Sequence, residues 1–476
     1  VTGPLADAPH EQLGTWVFDG DASYSQTPLQ ALRRTSGDSI KVLYAPGLNY
    51  SRDTVTSQFN KVVELAREAD LILAFVGEEA ILSGEAHCLA NLNLQGAQSG
   101  LLHRLSETGK PLVTVVMAGR PLTIGREVNI SDALLYAFHP GTMGGPALAN
   151  LLFGKVVPSG KLPVTFPKET GQIPIYYNHT STGRPASGSE KNIFTIPVGA
   201  EQTSLGNTSF YLDAGKDPLF PFGYGLSYTT FAYSNLSIDK DGVTFTIKNT
   251  GGVEGTEVAQ LYVGKQSETI FRPVRELKGF ARVTLAPGEE KSVHIAFDDK
   301  TFRFYDTRTN TWEVESGNYQ IMVGTDADTM VLEGSLEIAG TVADGGYSKE
   351  ILPEYFSGKI ENVDDIEYRE LYGREIPDGS WSGEIRMNDA VCQLYYGKGI
   401  LGKLLYGVLR ILLKISEWQG KPNLNVLFNY NMPIRGYAKM TGGFVTMEMA
   451  RALTEMANGH RIKGTAHLIK AAVKRD

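Results

Sequence analysis

Three short apolar runs, residues 71–76, Leu112–Met117 and 133–138, constrain this chain most. None alternates apolar with polar, so each reads as a strand covered on both faces. Each is followed closely by glycine: Gly77, Gly119 and Gly141. Helical periodicity occupies residues 54–69, where Phe59, Val62, Val63 and Ala66 share a face, and recurs over 97–108 and 144–153. Strand, turn and helix in alternation predict a parallel sheet with helices on both sides, an α/β domain over residues 1–168. Ligands on such sheets gather at the carboxyl ends of the strands. The loop after Val76 is therefore the first place to look for a site.

The rest of the 476 residues changes character twice. Residues 169–227 are rich in Gly, Pro, Ser and Thr and read as a linker. Residues 228–340 alternate over 243–248, 258–263, 292–297 and 319–323, with turn signals at Asn249-Thr250-Gly251-Gly252 and Ala286-Pro287-Gly288. About seven short strands there predict an all-β sandwich of immunoglobulin or fibronectin type III-like form. Residues 346–476 predict a mainly helical extension, with helices over 400–415, 446–458 and 462–474. From Lys398 on, 13 Lys/Arg stand against 4 Asp/Glu. The helix at 400–415 reads first as packing on its own protein or on a second subunit, which leaves a homodimer open; the other reading is a basic amphipathic helix on an anionic membrane.

A net charge of −8 argues against nucleic-acid binding by the chain as a whole. Two cysteines, Cys88 and Cys392, give neither a disulfide framework nor a zinc spacing; they leave the compartment open, with a lean toward a reducing, cytoplasmic one. No leader is visible before Val1, and the opening Val-Thr-Gly-Pro-Leu-Ala-Asp reads as a strand running into a loop, so further sequence is expected upstream. The glycines of Gly141-Thr142-Met143-Gly144-Gly145 lack the lysine and hydroxyl of a phosphate loop and read as a tight strand-to-helix turn.

Glu85 is the leading chemical candidate. It lies eight residues past a buried strand, in Gly84-Glu85-Ala86-His87. A carboxyl group there is expected to be partly desolvated, which raises its pKa and lets it hand a proton to a leaving oxygen. Taken alone, a solvated loop glutamate is the leading reading. Longer runs alter that balance. LILAFVGEEAILSGEAHCLANLNLQGAQ, KPLVTVVMAGRPL, FHPGTMGGPALANLLFGKVVPSGKLPVTFP, LFPFGYGLSYTTF and RPVRELKGFARVTLAPGE follow in order. Together they resemble the second and third domains of family 3 glycoside hydrolases of the bacterial β-glucosidase type. MPIRGYAKMTGGFVTMEMARALTEMANGH resembles the C-terminal extension of some Firmicutes members.

The resemblance implies a retaining exo-glycosidase acting on terminal β-D-glucosyl residues of oligosaccharides or aryl glucosides, with β-xylosidase or another exo-glycosidase as the alternative. It implies Glu85 as general acid/base and an aspartate nucleophile on an N-terminal barrel, in cis or as a separate subunit. No barrel sequence is visible here, so the isolated chain is expected to be inactive. A non-catalytic carbohydrate-binding or scaffold module is the rival class. Neither metal nor cofactor is required. Some relatives carry arginine at the position of Leu89, which leaves open what orders this loop. Asp132 reads as a turn residue. Glu78 could orient the loop, His87 could donate to a sugar hydroxyl or a neighbouring carboxylate, and Tyr177, within Tyr176-Tyr177-Asn178-His179 and Thr182-Gly183-Arg184, could stack on a sugar. The structural alternatives are an anchor for Glu78, a plain loop histidine, and junction packing for Tyr177. Arg120 reads as half of a structural ion pair.

Overall fold

The computed structural model describes every residue except 181–182, 201–207, 268–269, 343–347, 360, 378–382, 422, 442–443 and 474–476. Thr182, Lys474 and the expected boundary at 346 therefore lie outside the described residues. The chain divides into two compact units, Val1–Ile360 and Glu361–Asp476.

The first unit opens with α1 (Pro28–Ser36), α2 (Phe59–Glu68), β1 (Ile72–Gly77), α3 (Gln98–Ser106), β2 (Leu112–Met117), α4 (Gly125–Ile130), β3 (Ala133–Tyr136) and α5 (Gly144–Leu152). The strands pair in parallel, in the order β1-β2-β3, with Ile72 opposite Leu112 and Val113 opposite Ala133. Thr2 bridges Ala74 in parallel and adds a short edge beyond β1. Strand side chains alternate between two cores. Ile72, Ala74, Val76 and Val116 meet Val62 and Ala66 of α2 and Leu101, Leu102 and Leu105 of α3. Phe75, Val115 and Met117 meet Ala31 and Leu32 of α1 and Leu148 and Ala149 of α5. Burial on both faces is why these runs carry no polar alternation. The helix expected from residue 54 begins only at Phe59. Asp53 Oδ1 accepts the Val55 N–H at 2.8 Å, and this turn competes with helix over the first residues.

Nine strands follow: β4 (Phe231–Ile238), β5 (Gly242–Asn249), β6 (Gly255–Gly264), β7 (Glu276–Leu285), β8 (Glu290–Ala296), β9 (Arg303–Asp306), β10 (Thr311–Val314), β11 (Gly317–Gly324) and β12 (Met330–Ile338). A four-stranded sheet, β12-β11-β6-β7, and a three-stranded sheet, β4-β5-β8, make the sandwich, and β9 and β10 form a separate hairpin. Alternate residues of β5, β6, β8 and β11, among them Phe245, Leu261, Ile295 and Ile321, fill the space between the sheets. The Phe220–Gly225 segment is pinned on both sides. Phe166 N–H donates to Phe220 O at 2.9 Å and Leu162 N–H to Tyr224 O at 2.8 Å, while Ala327 N–H reaches Phe222 O at 2.9 Å. A short helix, α6 (Pro353–Ser357), closes this unit.

The second unit is helical: α7 (Asp365–Tyr372), α8 (Ile400–Trp418), α9 (Leu424–Asn431), α10 (Tyr437–Met440), α11 (Met447–Ala457) and α12 (Arg461–Val473). Ile385, Val391, Leu394, Ile434, Ala450 and Ala457 form its core. The Thr446 hydroxyl caps α11 by accepting the Met449 N–H at 3.2 Å. No described helix is long and apolar enough to cross a membrane.

Candidate functional site at the carboxyl ends of the parallel strands

The last residues of all three parallel strands converge beneath the 78–90 loop. Glu78 continues β1, its N–H reaching Met117 O at 2.8 Å. Arg120 follows β2 and His139 follows β3. The approach is close enough to demand glycine. Gly77 has φ +139°, and a Cβ there would lie 1.9 Å from the Met117 carbonyl oxygen. A Cβ on Gly119 would lie 2.5 Å from His139 Nε2 and 2.3 Å from Ser83 Oγ.

Arg120 is the hub. Its Nε donates to Glu78 Oε2 at 3.2 Å, its Nη1 to His87 O at 2.9 Å, and its Nη2 to Leu82 O. One guanidinium thus ties both ends of the loop to the end of β1. Tyr136 of β3 holds Arg120 in turn by donating its hydroxyl to the Arg120 carbonyl. The Glu78 side chain is 1% exposed and that of Arg120 19%. Burial pushes the Glu78 carboxyl above the usual range, and Arg120 opposes that rise by charge and hydrogen bond. Among the described residues Glu78 Oε1 has no hydrogen-bond partner. These contacts fit the anchoring role of Glu78 and the ion-pair role of Arg120. They also give the loop a cation in the absence of arginine at position 89.

Residues far upstream hold the other side. Glu11 Oε2 accepts the Ala80 N–H at 2.6 Å, and Thr15 Oγ1 donates to Ala80 O and, at 2.8 Å, to Ser83 O. Glu79 takes a hydrogen bond from Ser51 at 2.7 Å and from Arg52 at 2.9 and 3.0 Å, which lowers its pKa. Next to Thr15, Trp16 and Phe18 are exposed, their rings edge to face at 6.0 Å.

Glu85 sits at the exposed tip of this anchored loop, and among the described residues its side chain has no hydrogen bond or ion pair. The partial desolvation expected from sequence is absent in the chain by itself. The residues that grip the loop do so at 78–83 and 87, and nothing in the described fold covers the tip. Ala86 beside it has φ +63°, a left-handed backbone that costs an L-residue roughly 1–2 kcal/mol. His87 is exposed, with Nδ1 3.1 Å from Ser83 O, so its ring closes the loop on itself. Tyr177 stands apart from the loop. Its ring stacks on Phe222 at 4.6 Å and meets Tyr262 edge-on, and its hydroxyl accepts the Leu277 N–H at 3.3 Å, which is packing between linker and sandwich. Asp132 Oδ2 accepts the Leu112 N–H at 2.8 Å, a strand-end anchor. The sequence reading missed His139, half-buried with an unpartnered Nε2. Burial, with the Arg120 charge adding to it, lowers its pKa. Its place directly after the third apolar run was the available signal. Among the described residues no cluster of His, Cys, Asp and Glu could hold a metal ion.

Residues 1–228 match the glycosyl hydrolase family 3 C-terminal domain, and residues 257–327 match the fibronectin type III-like domain. The chain belongs to glycosyl hydrolase family 3. The periplasmic β-glucosidase of Salmonella typhimurium is 37% identical over 365 residues, covering 71% of this chain and 46% of that protein. A β-xylosidase of Formosa agariphila is 34% identical over 339 residues, covering 68% and 43%. Among solved structures, a Listeria innocua β-glucosidase in complex with glucose superposes with a TM-score of 0.63 at 34% identity, covering 72% of this chain and 46% of that one. This family 3 chain therefore spans less than half the length of each of these three relatives. Its first matched domain includes the linker, and the shared scaffold is what brings Glu78, Arg120 and His139 under the loop.

Proposed function

We propose that this chain carries the general acid/base of a retaining exo-β-glucosidase, with Glu85 as the proton donor. A carboxylate nucleophile from outside these residues attacks the anomeric carbon while Glu85 protonates the departing glycosidic oxygen. In the second step the Glu85 carboxylate takes a proton from water, which displaces the enzyme carboxylate. Retention requires the two carboxyl groups roughly 5–5.5 Å apart. The observation that carries the reading is the pairing of a clamped loop base with an unpaired carboxyl at its tip. Arg120, Glu11 and Thr15 fix the backbone on either side of Glu85. Among the described residues the side chain itself has no hydrogen-bond or ion-pair partner.

A general acid must hold a proton near neutrality, and exclusion of water favours the protonated form of a carboxyl group. Glu85 is exposed in the chain alone, and a docking surface that carries the nucleophile would exclude water from it. Glu78, Arg120 and His87 act in this scheme as positioning residues rather than sugar ligands. Trp16 and Phe18, exposed beside Thr15, offer an aromatic surface on which the apolar face of a sugar or an aryl aglycone stacks. A pentose substrate is the second reading, supported by the relative named β-xylosidase. The isolated chain should not turn over 4-nitrophenyl β-D-glucoside, and turnover by it alone would mean that a nucleophile lies within these residues. In a protein that joins this chain to the nucleophile-bearing domain, glucoside and xyloside turnover are compared directly, and activity on neither would remove the hydrolase reading.

A further inference from the structure

The second unit leaves one long helix face uncovered. At 100° per residue, α8 turns Leu409, Leu413 and Ser416 toward its own unit, where Leu409 packs on the core and Leu413 and Ser416 are buried. Ile400, Leu404, Val408, Ile411, Ile415 and Trp418 fall within an arc of about 80° on another side. Each is 45–89% exposed. Lys403, Arg410 and Lys414 form a row along one edge of this arc, and Glu417 is the one acid in the helix. Among the described residues none of the three cations has an acidic partner. The stretch from Lys398 to the end of the chain carries a net +9, although the chain as a whole is −8. Beside the apolar arc lies an open apolar cavity of about 250 Å³, lined in part by Leu401, Leu405 and Met456.

We propose that α8 lies flat on an anionic phospholipid bilayer, its apolar arc at the level of the upper acyl chains and its cationic row on the headgroup phosphates. The helix has the length, about 28 Å, and the one-sided polarity of an interfacial helix. Its charges are too many for it to cross the bilayer. Trp418 at its end, with exposed Tyr395 and Tyr396 in the segment before it, provides amphipathic rings of the kind that settle at the headgroup level. A second copy of the chain fits the charges less well. An antiparallel two-fold pairing of α8 sets the cationic row against itself, and a parallel pairing sets it against Leu405 and Ser416, which offer no anion. Lipid phosphate supplies the missing negative charge. This inference stands independently of the hydrolase reading.

The test is co-sedimentation of the full chain with vesicles of 30% phosphatidylglycerol in phosphatidylcholine, and with pure phosphatidylcholine, at low and high NaCl. The chain should bind the anionic vesicles and weaken with salt, with little binding to the neutral ones. Lys403→Gln, Arg410→Gln and Lys414→Gln together should reduce the partition coefficient about 100-fold, at roughly fivefold per cation. Ile411→Asp should abolish binding. All four positions are exposed, so circular dichroism should show an unchanged fold. Absence of binding to anionic vesicles would overturn the proposal, as would equal binding to neutral ones. So would a concentration-dependent dimer that Ile411→Asp dissociates, since a second copy would then cover the face.

Discussion

Replacing Arg120 with methionine tests how the loop is held. The substitution keeps most of the side chain's bulk but leaves the Glu78 carboxylate, 1% exposed, without its counter-charge. Breaking a buried pair in this way costs about 3–5 kcal/mol when the stranded charge persists. Glu78 has an escape, because it can take up a proton. From an ordinary pKa of 4.5, protonation costs about 1.4 kcal/mol per pH unit, or roughly 3.4 kcal/mol at pH 7 and 0.7 kcal/mol at pH 5. The loss of stability is therefore capped near 3 kcal/mol at pH 7 and shrinks toward 1 kcal/mol at pH 5, where the lost loop hydrogen bonds dominate. The sign follows from linkage. Without Arg120 the folded pKa of Glu78 rises further, the native state binds the extra proton, and stability falls as pH increases above 4.5. A chain of this size unfolds in more than one step, so the readout is the urea midpoint of the transition that releases the β1 and β2 amides, followed by hydrogen exchange at both pH values. Glu78→Gln combined with Arg120→Met should recover most of the loss at pH 7. An equal deficit at pH 5 and pH 7, or one below about 0.5 kcal/mol, would refute the claim that this pair anchors the loop.

Other outcomes follow from the same geometry. Glu85→Gln should leave stability within about 0.5 kcal/mol of the parent in urea titrations, because an exposed carboxyl without partners has nothing to lose. Ala86→Val should destabilise by about 1–2 kcal/mol, since a β-branched side chain resists φ +63°, whereas Ala86→Gly should stay within about 1 kcal/mol; equal effects would mean that the turn relaxes. Burial keeps His139 below its usual pKa of 6.5, so the folded chain resists its protonation. Stability should fall as pH drops below about 6.5, by at most 1.4 kcal/mol per unit from this group, and His139→Gln should flatten that part of the profile. An unchanged profile would place the pH dependence elsewhere.

How legible each part was depended on how local its cause is. The runs containing Val76 and Val116 announced buried strands because β1 and β2 are covered on both faces, and that requirement is written into consecutive residues; β3, at the sheet edge, is only half-buried although its run reads the same. The alternation of Phe245 and Ile247 did the same for the sandwich. Thr2 at the sheet edge was invisible, since a single bridging residue has no period. The β9 and β10 hairpin is four residues on each side, too short for alternation to stand out. The position of Glu85 was legible from its distance past a strand. Its surroundings were not, because exposure depends on what lies over the loop. The grip of Arg120 on Leu82 and His87 joins residues more than 30 positions apart, and that of Glu11 on Ala80 joins residues 69 apart. No local pattern encodes such contacts. The place of His139 directly after the third apolar run was legible; its packing against Gly119, 20 positions away, was not.

Azide rescue of Glu85→Ala is the most direct measurement of the central proposal. It is made in a protein that unites this chain with the nucleophile-bearing domain, on an aryl β-glucoside with a good leaving group. The account predicts kcat reduced at least 100-fold, partly restored by azide with β-glucosyl azide as the product, because the small anion then needs no base to attack the covalent intermediate. A kcat close to the parent's, or a loss that azide leaves untouched, would contradict it.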